Sequence, residues 1–179
     1  MKDVFYLDTS ILTTTSTGDG LQNLDLSSYV DPISRGRAKG TGLAIYKVHF
    51  DFSNAGDNAP VPAASAGTAR VALISSPGLA SFAVGGSSIV ANTMVSSNDL
   101  MISGMDFYAG ATAAGDPRPN TFLEPSKEVP YIVVRDQVAL MVDVATAFTA
   151  NTLISVRLEC AQVTLDQSTL NQLLRTQTV

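Results

Sequence analysis

Residues 46–52 read YKVHFDF, and the alternation in this stretch decides the fold class. On a β-strand successive side chains point to opposite faces, so positions two apart share one. Tyr46, Val48, Phe50 and Phe52 then form an apolar face, while Ile45, Lys47, His49 and Asp51 form a mostly polar one. This is the pattern of a half-buried antiparallel strand with one side on a core and the other in water. The stretch also holds the single histidine of the chain. A chemical reading would have Asp51 orient His49 as a base or a proton switch. A base needs a nucleophile or a substrate group to act on, and the neighbouring sequence supplies none. We read the polar row as the solvated face of a strand.

Further strands are expected on both sides. Upstream, VFYL (4–7) and the Thr/Ser/Gly-rich TTTSTGDG predict an arm or edge strand followed by a turn-forming loop over residues 1–23. LDLSSYVDP predicts a short strand ending at Pro32, SRGRAKGTG a loop with Arg35, Arg37 and Lys39, and residues 42–53 a strong strand. Downstream lie a long Pro/Gly/Ala/Ser loop from about 53 to 67 and a short strand, RVALISS. Several short apolar pieces follow between 79 and 114, and GDPRPN reads as another turn-rich loop. Three more strands are read in VPYIVV, in VALMVDV (Val138, Leu140, Val142 and Val144 on one face) and in 153–165. The last shifts its apolar phase near Ala161–Gln162, which predicts a bulge there. Leu170, Leu173 and Leu174 fall at helical spacing behind Asp166 or Ser168, predicting a terminal helix over 166–176.

Short strands joined by Gly, Pro, Ser and Asn loops predict an all-β, antiparallel β-sandwich in one domain, 1–179. The long loops favour a jelly-roll-like layout over a meander. No repeat of the propeller or β-helix kind is evident.

Composition narrows the function. Hydrophobic residues make up 45% but charged residues only 15%, below the usual quarter or so. A surface with so little charge is weakly defended against association. The net charge is −5, and the first thirty residues carry a single cation, Lys2. There is no basic N-terminal arm of the kind that phosphate contacts require. The lone Cys160 cannot form an internal disulfide; its place in LISVRLEC beside Ile154, Val156 and Leu158 predicts a buried thiol. One cysteine and one histidine leave zinc and copper sites without ligands. The N-terminus has no apolar signal region, and no apolar run approaches the roughly eighteen residues of a membrane span.

The sequence also lacks the common catalytic motifs. RGRAKGTG lacks the order of a phosphate-binding loop, since Lys39 precedes Gly40 and Thr41 and a strand follows instead of a helix. We read it as a solvated basic turn, with Arg35, Arg37 and Lys39 the candidates for an anionic contact. No GxSxG, HExxH or kinase set occurs. Asp19, Asp25, Asp31, Asp57, Asp99, Asp106 and Asp116 are read as scattered through loops; two could face each other as a glycosidase pair. Without Trp and with 7% aromatic residues, platforms for sugars are scarce. DNAP and SSNDL are loops where calcium could bind, though without EF-hand spacing. No catalytic residue, cofactor or metal ligand is assigned.

A single compact β domain with an extended N-terminal segment, long Ala/Gly/Ser/Thr/Pro loops and little charge resembles the single jelly-roll capsid proteins of small icosahedral viruses, those of bacteria or archaea included. The resemblance spans the chain but rests on pattern and composition, without a specific motif. It implies a structural virion protein, made in the host cytoplasm without a signal peptide, that self-assembles into a shell with copies of itself and other virion proteins. The missing basic arm implies, within that family, a genome condensed by another protein or separated by an internal viral membrane, and little direct nucleic-acid binding. Val4, Phe5, Tyr6 and Leu7 are the candidates for an intersubunit contact, by addition to a neighbour's sheet or, alternatively, as the first strand of their own subunit. His49 becomes pH-sensitive, at around pH 6, if it lies in a subunit contact. The competing reading is a β-sandwich binding module, such as a phage fibre, tail or baseplate adhesin, or a lectin.

Overall fold

The computed structural model describes residues 4–13, 15–31, 39–61, 66–75, 94–110 and 118–177. Among the described residues nine strands and one helix follow in order: β1 (Phe5–Thr13), β2 (Gly18–Asp25), β3 (Lys39–Asn54), β4 (Gly67–Ile74), β5 (Met101–Ala109), β6 (Arg118–Leu123), β7 (Tyr131–Val133), β8 (Gln137–Thr146), β9 (Thr152–Asp166) and α1 (Gln167–Thr176). They build two antiparallel sheets packed as a sandwich, one in the order β1-β9-β3-β7 and the other β2-β8-β4-β5-β6. Sequence neighbours rarely pair. With β6 left aside, the first of the remaining eight strands pairs with the last, the second with the seventh, the third with the sixth and the fourth with the fifth.

The core lies between the sheets. Leu43, Ile45 and Val48 of β3 and Val156, Leu158 and Cys160 of β9 pack with Leu73, Ile102, Val138 and Leu140 from the opposite sheet. A second cluster joins Phe52 and Ile154 to Val71, Phe107, Val142, Val144 and Phe148, with Phe52 and Phe107 stacked at 4.2 Å between ring centroids. Gly67 lies against the ring of Phe148, where a Cβ would overlap Phe148 Cδ1. The five-stranded sheet is also partly covered on its outer face: Ala72, Ile74, Ala139 and Met141 are buried beneath Met94, Leu100 and Met101. Two-sided burial explains why VALMV is almost wholly apolar, a pattern that alternation alone does not predict.

The polar alternation in residues 46–52 is real but its phase changes at Tyr46. The β3–β9 ladder pairs Ile45 with Cys160 and Lys47 with Glu159, leaving Tyr46 without a facing partner. The bulge therefore sits on β3 and not at Ala161–Gln162 of β9. Because the extra residue reverses the phase, Ile45 turns into the core with Val48 and Phe52, and Tyr46 leaves the apolar face it was expected to share. Two other expectations change. The Gly-rich stretch after β1 opens β2, which ends at Asp25, and Leu26–Tyr29 forms a turn closed by Tyr29 N and Val30 N donating to Leu26 O. Part of GDPRPN is strand: β6 starts at Arg118-Pro119, and it holds a proline because it is the outermost strand of its sheet.

The terminal helix forms as expected. Asp166 caps it, its Oδ1 accepting from Thr169 N at 2.7 Å, and Leu170 is buried against Val134 and Leu165. Gln177 then ties the segment after the helix to β7 and its C-terminal neighbour. Its side-chain amide donates to Ile132 O at 2.6 Å and its Oε1 accepts from Val134 N at 3.2 Å. No helix among the described residues is long and apolar enough to cross a membrane.

Candidate functional site

The polar face of β3 is one third of a larger surface. Antiparallel register places residues from three strands in rows across the outer face of the four-stranded sheet: Tyr6–Glu159–Lys47, Asp8–Arg157–His49 and Ser10–Ser155–Asp51. Each row is fixed by the alternation of β1, β9 and β3, whose other faces are held by the core. Together they line a shallow groove of 670 Å³, formed by Tyr6, Asp8, His49, Asp51, Ser155, Arg157 and Glu159 around Val156. His49 Nε2 lies 3.1 Å from Glu159 Oε1, and the Arg157 guanidinium carbon stands 6.0 Å from the Tyr6 ring centroid.

His49 is thus paired diagonally across the ladder with Glu159, and not with Asp51. Residues two apart on one strand are separated by nearly 7 Å, whereas diagonal cross-strand neighbours bring long side chains into reach. In the adjoining row Ser155 faces Asp51 and Ser10 faces Ser155, so neither serine stands opposite His49. On this open face His49 and its neighbours supply hydrogen bonds and charge for binding.

A second polar row crosses the outer face of the five-stranded sheet: Asp19, Asp143, Arg70, Asp106 and Asn120 stand opposite one another in succession. Arg70 grips Asp106 through two bonds, Nε to Oδ1 at 2.6 Å and Nη2 to Oδ2 at 2.8 Å, with its guanidinium carbon 4.9 Å from the Phe122 ring centroid. The Asp106 bond raises the pKa of Arg70. Asp143 is different. Burial, reinforced by the facing Asp19, holds its carboxyl above the usual range, and Arg70 only partly offsets this. Asp19, Asp25 and Asp106 lie on strands and not in loops, and the facing carboxyl pair is Asp19 with Asp143. The residues of this row are far apart in sequence, so no local motif announced it. Neither row forms a metal site: no group of three or more His, Cys, Asp or Glu capable of holding an ion occurs among the described residues.

The other sequence candidates are dispersed. Val4 precedes β1; Phe5 and Leu7 point toward the core, whereas Val4 and Tyr6 are exposed. β1 pairs with β9 of its own chain over nine residues, as the edge strand of its sheet. Lys39 opens β3 opposite Asp166, while Arg35 and Arg37 lie outside the described residues. Cys160 is fully buried, its Sγ 3.5 Å from Phe5 O, and burial pushes its thiol up to about 12. Compared with models of known protein families and with curated proteins, the chain matches none.

Proposed function

We propose that this chain is a structural virion protein, a capsid subunit with a jelly-roll domain that associates with copies of itself into an icosahedral shell. The strand order carries the proposal. Pairing of first with last, second with seventh, third with sixth and fourth with fifth is what results when one long antiparallel ribbon is rolled up into two sheets, the jelly-roll winding found in viral capsid and lectin domains. β6 is an addition at one margin that leaves the winding unchanged. One further observation supports the reading: the chain carries 15% charged residues, a weak barrier to association. Fold alone does not assign function, so the proposal is tested on assembly. Size-exclusion chromatography with negative-stain microscopy of the purified chain is expected to give large particles of uniform size. A chain that stays monomeric at high concentration, with its native partners present, refutes the reading.

One observation favours the binding-module alternative: the groove over β1, β9 and β3 offers an exposed Tyr6 beside Asp8, Asp51 and Arg157. In that case the protein is a fibre, tail or baseplate adhesin, or a lectin, and a ligand raises its melting temperature by mass action.

A further inference from the structure

β1 is the outermost strand of its sheet, bonded to β9 along one side, and no described strand pairs with its other side. An open edge of this length usually carries a device against further pairing, such as a proline, a lysine, a bulge or an inward-pointing charge. The nine residues FYLDTSILT carry none. Their register with β9 runs unbroken from Phe5–Cys160 to Thr13–Thr152, and the single charge, Asp8, lies on the outer face. Instead the outer face displays apolar groups: Val4, Tyr6 and Leu12 are 52%, 59% and 55% exposed. On the inner face Phe5, Leu7 and Ile11 are only partly buried, because no described strand flanks β1 on the open side.

The strand is also complementary to itself. A two-fold axis normal to the sheet sets two copies of β1 antiparallel and keeps outer faces together, so facing residues have numbers whose sum is even. With the axis at Thr9 all nine residues overlap. Tyr6 then faces Leu12, Leu7 faces Ile11, Phe5 faces Thr13 and Asp8 faces Ser10, each pair occurring twice. Exposed apolar groups meet exposed apolar groups, half-buried ones meet half-buried ones, and each carboxylate meets a hydroxyl. Moving the axis to Asp8 opposes two carboxylates directly, which is destabilising. Moving it to Ser10 sets Asp8 against Leu12. We infer that β1 is a homotypic docking edge: a second copy of this chain adds its own β1 antiparallel, with Thr9 on the axis, and joins two four-stranded sheets into one of eight. Main-chain hydrogen bonds supply the attraction, and the side-chain pairs select the register. This deepens the self-assembly reading and rests on it.

The test uses two single variants of the full chain, Tyr6→Cys and Leu12→Cys, both at exposed outer-face positions that the fold tolerates. Each is mildly oxidised alone and after mixing, with particle size measured on the same samples. The mixed sample is expected to give disulfide-linked dimers, because facing Cβ atoms lie about 4.5–5.5 Å apart. Each variant alone is expected to give few, since six residues at about 3.4 Å separate a position from its own copy by roughly 20 Å. Assembled particles without preferential linkage in the mixture overturn the edge pairing and leave self-assembly intact. Equal linkage in the separate samples overturns the register. A chain that is monomeric throughout removes both readings.

Discussion

Replacing Leu158 by alanine tests the central feature of the sandwich. Leu158 is fully buried on β9, between Leu7 of β1 and Val48 of β3 in the ladder, and packs in the cluster that includes Val138 and Leu140 of the other sheet. The substitution removes three carbons, at about 0.8 kcal/mol each a loss near 2.4 kcal/mol. Hydrogen-bonded strands on both sides prevent collapse around the gap. A residual void of the order of 60 Å³, at about 24 cal/mol per Å³, adds roughly 1.5 kcal/mol. The expected loss is therefore about 4 kcal/mol. For a chain of this size it lowers the melting temperature by about 8–16 °C, at roughly 2–4 °C per kcal/mol. Urea melts followed by circular dichroism at several protein concentrations separate this intrinsic loss from any contribution of association. Leu153→Ala, on the opposite face of the same strand and only half-buried, is the control, with an expected loss under about 1 kcal/mol. Equal losses for the two variants, or a loss below about 1 kcal/mol for Leu158→Ala, would refute the assigned faces of β9.

Cys160 should react with a thiol reagent at pH 8 only on unfolding, because the side chain is buried and its thiol is pushed up to about 12; rapid labelling of the native protein contradicts the register of β9. His49→Gln and Asp51→Asn should each change stability by no more than about 0.5 kcal/mol, whereas Phe52→Ala, which removes a ring stacked on Phe107, should cost about 3–5 kcal/mol. Denaturant midpoints for the three variants check this, and a large loss in His49→Gln shows that the groove contributes to the fold. For Asp143 the folded pKa lies above the unfolded one, so the carboxylate form weakens the fold. That penalty is absent below the unfolded pKa and grows as pH rises through the folded pKa. Asp143→Asn should then be more stable than the parent at pH 7 and lose this advantage near pH 3; an advantage that is largest in acid reverses the assignment.

Local chemistry makes most elements legible in the sequence. The alternation of Val138, Leu140, Val142 and Val144 and of Ile154, Val156, Leu158 and Cys160 marks strands with one face on a core, because period-two burial leaves period-two hydrophobicity. Asp166 ahead of Leu170, Leu173 and Leu174 marks a capped helix for an equally local reason: the cap and the apolar stripe are set within three turns of chain. The fold class and the burial of the one thiol follow from such patterns. Long-range pairing left no local trace. That Tyr46 and not Ala161 absorbs the extra residue depends on which strand yields when two ladders meet, a question settled by packing across β3 and β9. Glu159 became the partner of His49, and Asp106 that of Arg70, only because winding brings together strands separated by 110 and 36 positions. The covered outer face of β4 and β8 was likewise decided by where the segment around Met94 and Leu100 comes to rest. Sequence alone determined which residues seek burial and at what spacing; tertiary structure decided their neighbours, because strand partners are chosen by whole faces closing over one another and not by any residue's own preference.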